Sequence, residues 1–375
     1  MIATTARTPG REEMLPAGRA FRITALVPAH NEAVTIGATL ASLAAQARTP
    51  DHIIVIADNC TDGTADIATA AGAQVHTTVA NRDKKAGGLN QALADLLPDA
   101  GPRDLLLVMD ADTTMGPQFL EAAERAFLAD ADLGAVGGLF FGDPGAGMLG
   151  DFQRNEYHRY QRQTLLKGGS PMVLTGTASV FRADALRAVA RARGTVLPGS
   201  AGTVYDTLAL TEDNELTIAL KTLGWGSVSP AECVVSTEVM PDWRALWRQR
   251  ERWQRGALEN LRVYGWSPIT RRYWLQQAGI LYGVLALWSF LALAVLTVLA
   301  GVAWSWSAFW AAITLVFVVE RVSTVWSRGP RARLVAVGLF PEIVYDTFIQ
   351  TVFIKAVVDF ALRRGTDWNY VPREA

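Results

Sequence analysis

The stretch Asp104-Leu105-Leu106-Leu107-Val108-Met109-Asp110-Ala111-Asp112 decides the fold. Residues 105–110 form an apolar run that ends on an acid, and a second acid follows two positions later. An unbroken apolar run bounded by a loop is the pattern of a strand buried on both faces, as in the middle of an α/β sheet. Ligands of such sheets bind beyond the carboxyl ends of the strands, so this reading puts Asp110 and Asp112 at a ligand. Two carboxylates separated by one residue suit a hard divalent cation that shares its oxygen ligands with phosphates. Taken alone, the same spacing also suits a solvated turn.

Working towards the N-terminus, residues 89–97 have helical spacing and 81–88 read as a loop. Residues 74–79, 52–57 and 21–27 read as strands, the last stopped by Pro28. Helices are expected over 35–47 and from the Asn59–Thr64 turn to Ala71, the latter with Asp62 or Thr64 as N-cap. The order β-α-β-α-β-α-β implies a mostly parallel sheet with right-handed crossovers. Three strands then end in polar turns on one sheet edge: Asn31-Glu32, Asp58, and Asp110 with Asp112. No G-x-G-x-x-G follows the first strand, which disfavours an ordinary dinucleotide fold.

Composition bounds the class. The chain has 375 residues, net charge -1, and two cysteines, Cys60 and Cys233. There is no global basic field for nucleic acid and no disulfide or zinc pattern. Mean hydropathy is +0.17, and the excess is local, because residues 273–319 contain no Asp, Glu, Lys, Arg or His. At about 1.5 Å per residue such a stretch reaches roughly twice the ~30 Å bilayer core, room for a hairpin of two spans.

Several motifs stand in a fixed order: Val27-Pro28-Ala29-His30-Asn31-Glu32, the Asp58 turn, Lys85-Ala86-Gly87-Gly88-Leu89-Asn90, Asp110-Ala111-Asp112, Thr211-Glu212-Asp213 and Gln249-Arg250-Glu251-Arg252-Trp253. In this order they resemble glycosyltransferase family 2, and within it the membrane-embedded synthases of cellulose, hyaluronan, chitin and poly-N-acetylglucosamine. The resemblance implies a GT-A fold and inverting transfer from a UDP-sugar to a growing β-linked polysaccharide. It implies Mg²⁺ or Mn²⁺ on the diphosphate, held by Asp112 with Asp110. It implies donor contacts from Pro28, Glu32, Asp58, Lys85, Asp110, Gln249 and Arg252. Asp213 becomes the general base, and Trp253, Glu212 and Thr177 the acceptor side. The family often has an Asp pair after the second strand, where this chain has Ala57-Asp58. The rival activity is transfer of one sugar to a lipid acceptor, and a non-catalytic binding module is a rival of another class.

Gln249, Arg252 and Trp253 fall at i, i+3 and i+4, one face of a helix. Residues 244–272 hold eight arginines and two glutamates among tryptophans, the composition of a helix lying on an anionic membrane surface. The expected organisation is a flexible leader (1–20), a GT-A domain (21–240), interface helices (241–272), a spanning hairpin (273–320), a basic loop with an interfacial, re-entrant or third spanning segment (321–362), and a tail (363–375). Basic residues flank the hairpin on both sides, so the positive-inside rule puts the catalytic domain in the cytoplasm of a multi-pass plasma-membrane protein. Few spans imply dimerisation, a separate export partner, or a glycolipid product.

Overall fold

The structure is a computed structural model that describes residues 19–301 and 307–364; the leader and tail expectations lie largely outside these residues. The chain divides into two compact units. The first runs to Asp143 and resumes over Gln163–Glu238; the second holds Pro144–Arg162 and continues from Val239.

The first unit contains β1 (Arg22–Ala29), α1 (Ile36–Ala44), β2 (His52–Ala57), α2 (Thr64–Ala70), β3 (Gln74–Thr77), α3 (Lys84–Leu96), β4 (Asp104–Met109), β5 (Thr114–Met115), α4 (Phe119–Ala129), β6 (Leu133–Gly137) and β7 (Leu139–Gly142). After α5 (Gly147–Leu166), described with the second unit, come β8 (Ala178–Arg182), α6 (Ala183–Ala192), α7 (Glu212–Thr222), β9 (Gly226–Val228) and β10 (Val234–Thr237). The main sheet has the order β3-β2-β1-β4-β8-β6-β9. Strands β3, β2, β1 and β4 are parallel, and β8 runs antiparallel to both β4 and β6. The opening stretch is thus the central strand β4, with Leu105 through Met109 all buried, because helices cover both faces of the sheet.

Two local expectations shift. Pro28 does not stop β1, which continues to Ala29. The ladder to β4 ends at Leu26, ahead of Pro28, so the missing N–H costs no bond to that strand. The loop expected over 81–88 is helical from Lys84, because Asn81 anchors the turn: its amide donates to the Lys84 carbonyl and its oxygen accepts from the Asp83 N–H. Gly87 permits this, since a Cβ there would lie 2.1 Å from Asn81 Oδ1.

A smaller sheet, β5-β10-β7, sets the far side of the site edge. Strand β5 follows Asp112 directly, and β10 pairs antiparallel to it. Behind α7, Arg193 is buried with Glu215 at 2.5 and 2.7 Å, and its guanidinium also donates to the Pro198 and Val204 carbonyls. This pair pins the segment leading to Tyr205.

The second unit contains α5, α8 (Trp243–Tyr264), α9 (Arg271–Leu299), α10 (Ala308–Thr324), α11 (Pro330–Val337) and α12 (Leu339–Ala361). Asp242 caps α8 by accepting from the Arg244 and Ala245 N–H groups at 2.8 Å. Trp243 and Trp247, among the tryptophans of the expected membrane-surface helix, both pack edge-on against Phe348 of α12.

The spanning hairpin also needs correction. Among the described residues, α9 is the one helix long and apolar enough to cross a membrane by length and composition, with mean hydropathy 2.2 in its apolar window. Helix α10 has 17 residues and ends with Glu320 and Arg321 inside it. Multi-pass insertion is therefore not supported. The segment read as interfacial or a third span is α11 and α12, broken at Gly338. Its charges have partners: Arg159 and Arg321 meet at Glu342, Arg321 also reaches Asp346, and Lys355 bonds Glu251 and Asp359. Pairing of this kind lets charged groups sit in an apolar helix at tolerable cost.

Arg193→Met would leave Glu215 buried without its cation and should destabilise the protein by about 3–5 kcal/mol. The check is a lowered urea midpoint, with partial recovery in the Arg193→Met/Glu215→Leu double variant.

Candidate active site

The site is built where β1, β2 and β4 end side by side. Their parallel register puts Asn31-Glu32, Asp58 and Asp110 on one edge. Because β8 is antiparallel to β4, its beginning lies at that same edge, and Met109 pairs with Ala178. The loop before β8 is thereby brought to Asp110, whose N–H donates to the Thr177 carbonyl at 3.0 Å.

The β1 and β2 turns are tied together. Asn31 and Asn59 both have positive φ, 57° and 50°, a conformation asparagine tolerates better than most residues. Asn31 Oδ1 accepts from the Thr61 N–H at 2.8 Å, and the Glu32 N–H donates to Thr64 Oγ1 at 2.8 Å. Asp62, expected as an N-cap, accepts from both the Thr64 and Ala33 N–H groups; the cap position itself is Gly63. Glu32 Oε2 accepts from Thr35 Oγ1 at 2.9 Å. Asp58 is buried, and one of its oxygens accepts from Thr78, Asn81 and Asn59 at 2.8, 2.8 and 3.0 Å. Three donors on one oxygen hold the carboxylate in place.

Lys85 is the hub. Its Nζ lies 2.6 Å from Asp110 and 3.1 Å from Glu212, and donates to the Gly176 carbonyl at 3.4 Å. The resemblance gave Lys85 a donor contact; the structure sets it against Asp110 and Glu212. Burial opposes the ammonium, but Asp110 and Glu212 outweigh it and raise its pKa well above the usual range. Glu212 and Asp213 open α7, where the helix dipole favours carboxylates, and Thr211 makes no capping hydrogen bond. Asp213 Oδ2 accepts from the Gly176 N–H at 3.0 Å and Oδ1 from its neighbour Asn214 at 2.7 Å. Burial and the Glu212 charge push Asp213 up to about 6, against the pull of Lys85 and these N–H groups. Gly176 fits because a Cβ there would sit 3.3 Å from both Asp213 Oδ2 and Lys85 Nζ.

Burial pushes Asp112 up to about 7, and the Asp110 and Glu238 carboxylates add to it. Glu238, just beyond β10, lies within hydrogen-bond reach of Asp112. Crowded carboxylates whose mutual repulsion a positive ion would relieve are a donor set that fits a hard divalent cation. Among the described residues no three His, Cys, Asp or Glu side chains form a closed metal cluster, so such a cation would complete its shell from phosphate oxygens and water.

Glu238 and Tyr205 escaped the sequence reading. Tyr205 is buried beside Lys85, Glu212 and Asp213, and burial raises its phenol pKa. Asn90 holds it with three bonds, accepting from the Val204 and Tyr205 N–H groups and donating to the Tyr205 carbonyl. The Asn90 of the Lys85–Asn90 motif was a signal that something is clamped there, but not what. Gln249, Arg252 and Trp253 are half-buried on α8 in the second unit.

With this geometry in hand, the chain was compared with known proteins. Residues 20–256 match the family model described as glycosyltransferase like family 2. The chain belongs to this family. It is 29% identical over 251 residues to the probable glycosyltransferase YdaM of Bacillus subtilis (strain 168), a match covering 63% of this chain and 55% of YdaM. The chain thus spans about half the length of that curated relative. The mannosyltransferase PcManGT of Pyrobaculum calidifontis, described in complex with GDP-Man and Mn²⁺, superposes with a TM-score of 0.60 at 19% identity, over 93% of this chain and 89% of that one. Glucosyl-3-phosphoglycerate synthase of Mycobacterium tuberculosis, described with Mn²⁺, UDP and phosphoglyceric acid, gives 0.45 at 20% identity, over 66% and 80%. The GT-A-like fold shared with the mannosyltransferase agrees with the α/β sheet expected from the sequence.

Asp112 carries a raised pKa, so its ionisation costs stability that grows as pH rises from about 4 to 7. Asp112→Asn should raise the melting midpoint of the cation-free protein at pH 8 by about 2–4 °C. The same variant should lose the stabilisation that added Mn²⁺ gives the parent, read by calorimetry.

Proposed function

We propose that the protein transfers a sugar from a nucleotide sugar to an acceptor hydroxyl with inversion at the anomeric carbon. The observation that carries this reading is Asp213, a buried carboxylate fixed by Gly176 and Asn214 at the sheet edge, one residue from the Lys85 ion pair. A single displacement needs a base opposite the leaving group, and a carboxylate with a pKa near 6 accepts a proton at neutral pH. Lys85 stays charged and keeps Asp110, Glu212 and Asp213 from repelling one another. Asp58 and Glu32 suit the donor's base and ribose, with Pro28 beside them; Gln249 and Arg252 suit the diphosphate, since a guanidinium fork matches phosphate oxygens. Trp253, Glu212 and Thr177 are assigned to the acceptor.

Asp112 and Asp110 would hold Mg²⁺ or Mn²⁺, which neutralises the diphosphate as it leaves. GDP-Man in the mannosyltransferase and the lone Asp58 both argue for testing guanine as well as uracil donors.

Two acceptors have an observation each. Gln249, Arg252 and Trp253 together favour a growing β-linked polysaccharide. The exposed apolar surface of α9, with Leu281, Tyr282, Leu285 and Trp288 facing outward, favours a chain held at a bilayer and a lipid acceptor within it. Membrane lipids are partners in either case. A GT-A domain over 21–240 and interface helices over 241–272 remain part of this reading, with the catalytic part on the cytoplasmic side, and dimerisation or an export partner accompanies the polysaccharide acceptor.

The test is nucleoside diphosphate release and product size with a panel of UDP- and GDP-sugars, Mn²⁺ and detergent-solubilised membranes. One donor should support release, and Asp213→Asn should lower it by about 10²–10⁴-fold. The parent rate should climb through pH 6, because Asp213 works only once it has lost its proton. A single added sugar selects the lipid acceptor, a ladder selects the polysaccharide, and Asp213-independent release sinks the proposal.

A further inference from the structure

Arg250 stands between the motif residues Gln249 and Arg252, and nothing so far uses it. It is 2% exposed, and burying a guanidinium is costly unless its donors are satisfied. Its bonds go to specific places. Nη1 donates to Gln249 Oε1 at 2.9 Å, and Nη2 donates to Glu156 Oε2 on α5 at 3.0 Å. The same Glu156 oxygen accepts from the Tyr345 hydroxyl on α12. The guanidinium carbon lies 4.3 Å from the Trp253 ring centroid and 5.4 Å from that of Tyr157. Tyr345 is itself held by stacking on Phe152, with centroids 5.1 Å apart. All these groups belong to the second unit.

We propose that Arg250, anchored by Glu156 and Tyr345, is a positioning residue that sets the amide polarity of Gln249 and the plane of the Trp253 indole. Arginine has donors only, so Gln249 must turn its oxygen towards it. The amide NH₂ then points the other way, offering two donors to an anionic ligand; the flipped amide would offer a carbonyl that repels one. Stacking covers one face of Trp253 and leaves the opposite face for an apolar sugar surface. Lysine could not do this, lacking both the planar face and the fork. The proposal rests on the diphosphate role given to Gln249 above.

The full-length protein tests it through two mild changes, Tyr345→Phe and Glu156→Gln, with Arg250→Lys as the stronger one. Two measurements serve. One is the 19F NMR resonance of Trp253 in 5-fluorotryptophan-labelled protein, assigned by its loss in Trp253→Phe. The other is affinity for UDP and GDP, each with Mn²⁺, by calorimetry. Both mild variants should move the resonance and weaken diphosphate binding by about three- to tenfold, with the melting midpoint nearly unchanged. A purely structural role would lower the midpoint and leave the affinity of the folded protein alone. An unmoved resonance overturns the proposal, as does a moved one with undiminished affinity when Gln249→Ala does lose affinity. If Gln249→Ala itself binds diphosphate normally, the proposal falls together with the diphosphate role of Gln249, and that result separates the two failures.

Discussion

One ammonium among three carboxylates governs the first unit. Lys85 contacts Asp110 and Glu212 and lowers the repulsion felt by Asp213, three acids delivered by two separate segments of chain. Without it, the acids at the end of β4 and the start of α7 would repel one another in a half-buried edge. Burial and the neighbouring carboxylates together raise Asp112 and Asp213, so the site strains against its own charge. A cation placed among these acids would relieve that repulsion. Catalytic carboxylates with pKa values displaced towards neutrality are the usual outcome of such crowding.

The scaffold exists to hold this cluster. Helix α3 presents Lys85 only because Asn81 closes the turn before it and Gly87 leaves room for Asn81. The same Asn81 bonds Asp58, so the turn after β2 and the Lys85 helix are built on one side chain. Asn90, one and a half turns further along α3, clamps the Tyr205 segment, which Arg193 and Glu215 fix from behind. The motif from Lys85 to Asn90 therefore works through three different contacts, none of which is visible from residue type alone.

The second unit follows another rule. Its helices bury charges, but each of the named ones meets an opposite charge from a different helix: Arg159 and Arg321 at Glu342, and Arg250 at Glu156. Paired ions of this kind fix register between helices more than they add stability. Helix α9 has little of this and exposes its apolar residues instead, so the unit combines an internally cross-linked part with one long, exposed apolar helix.

Much of the first unit was legible in the sequence because its signals are local. The apolar run 105–109, the strand 52–57 and the polar turns that end them depend on neighbours in the chain, and backbone geometry then aligns parallel strands at one edge. Asp110 and Asp112 could be singled out for the same reason, whereas Glu212 and Asp213 stood out only by the resemblance to the family. Glu238 and Tyr205 could not, since their place depends on β10 pairing with β5 and on Asn90 reaching across to residue 205. The charge-free run of 273–319 was read by length as two spans; the break into one long helix and one short one is decided by where helices end, which length does not report. Composition gave the tryptophans of α8 a place at a membrane surface, because it does not report that Trp243 and Trp247 meet Phe348 of a neighbouring helix. By itself the sequence determined the sheet, its acidic edge and the family, all products of short-range pattern. Only the tertiary structure decided which charges meet, because an ion pair is set by distance in space and segments far apart in the chain carry no mark of one another.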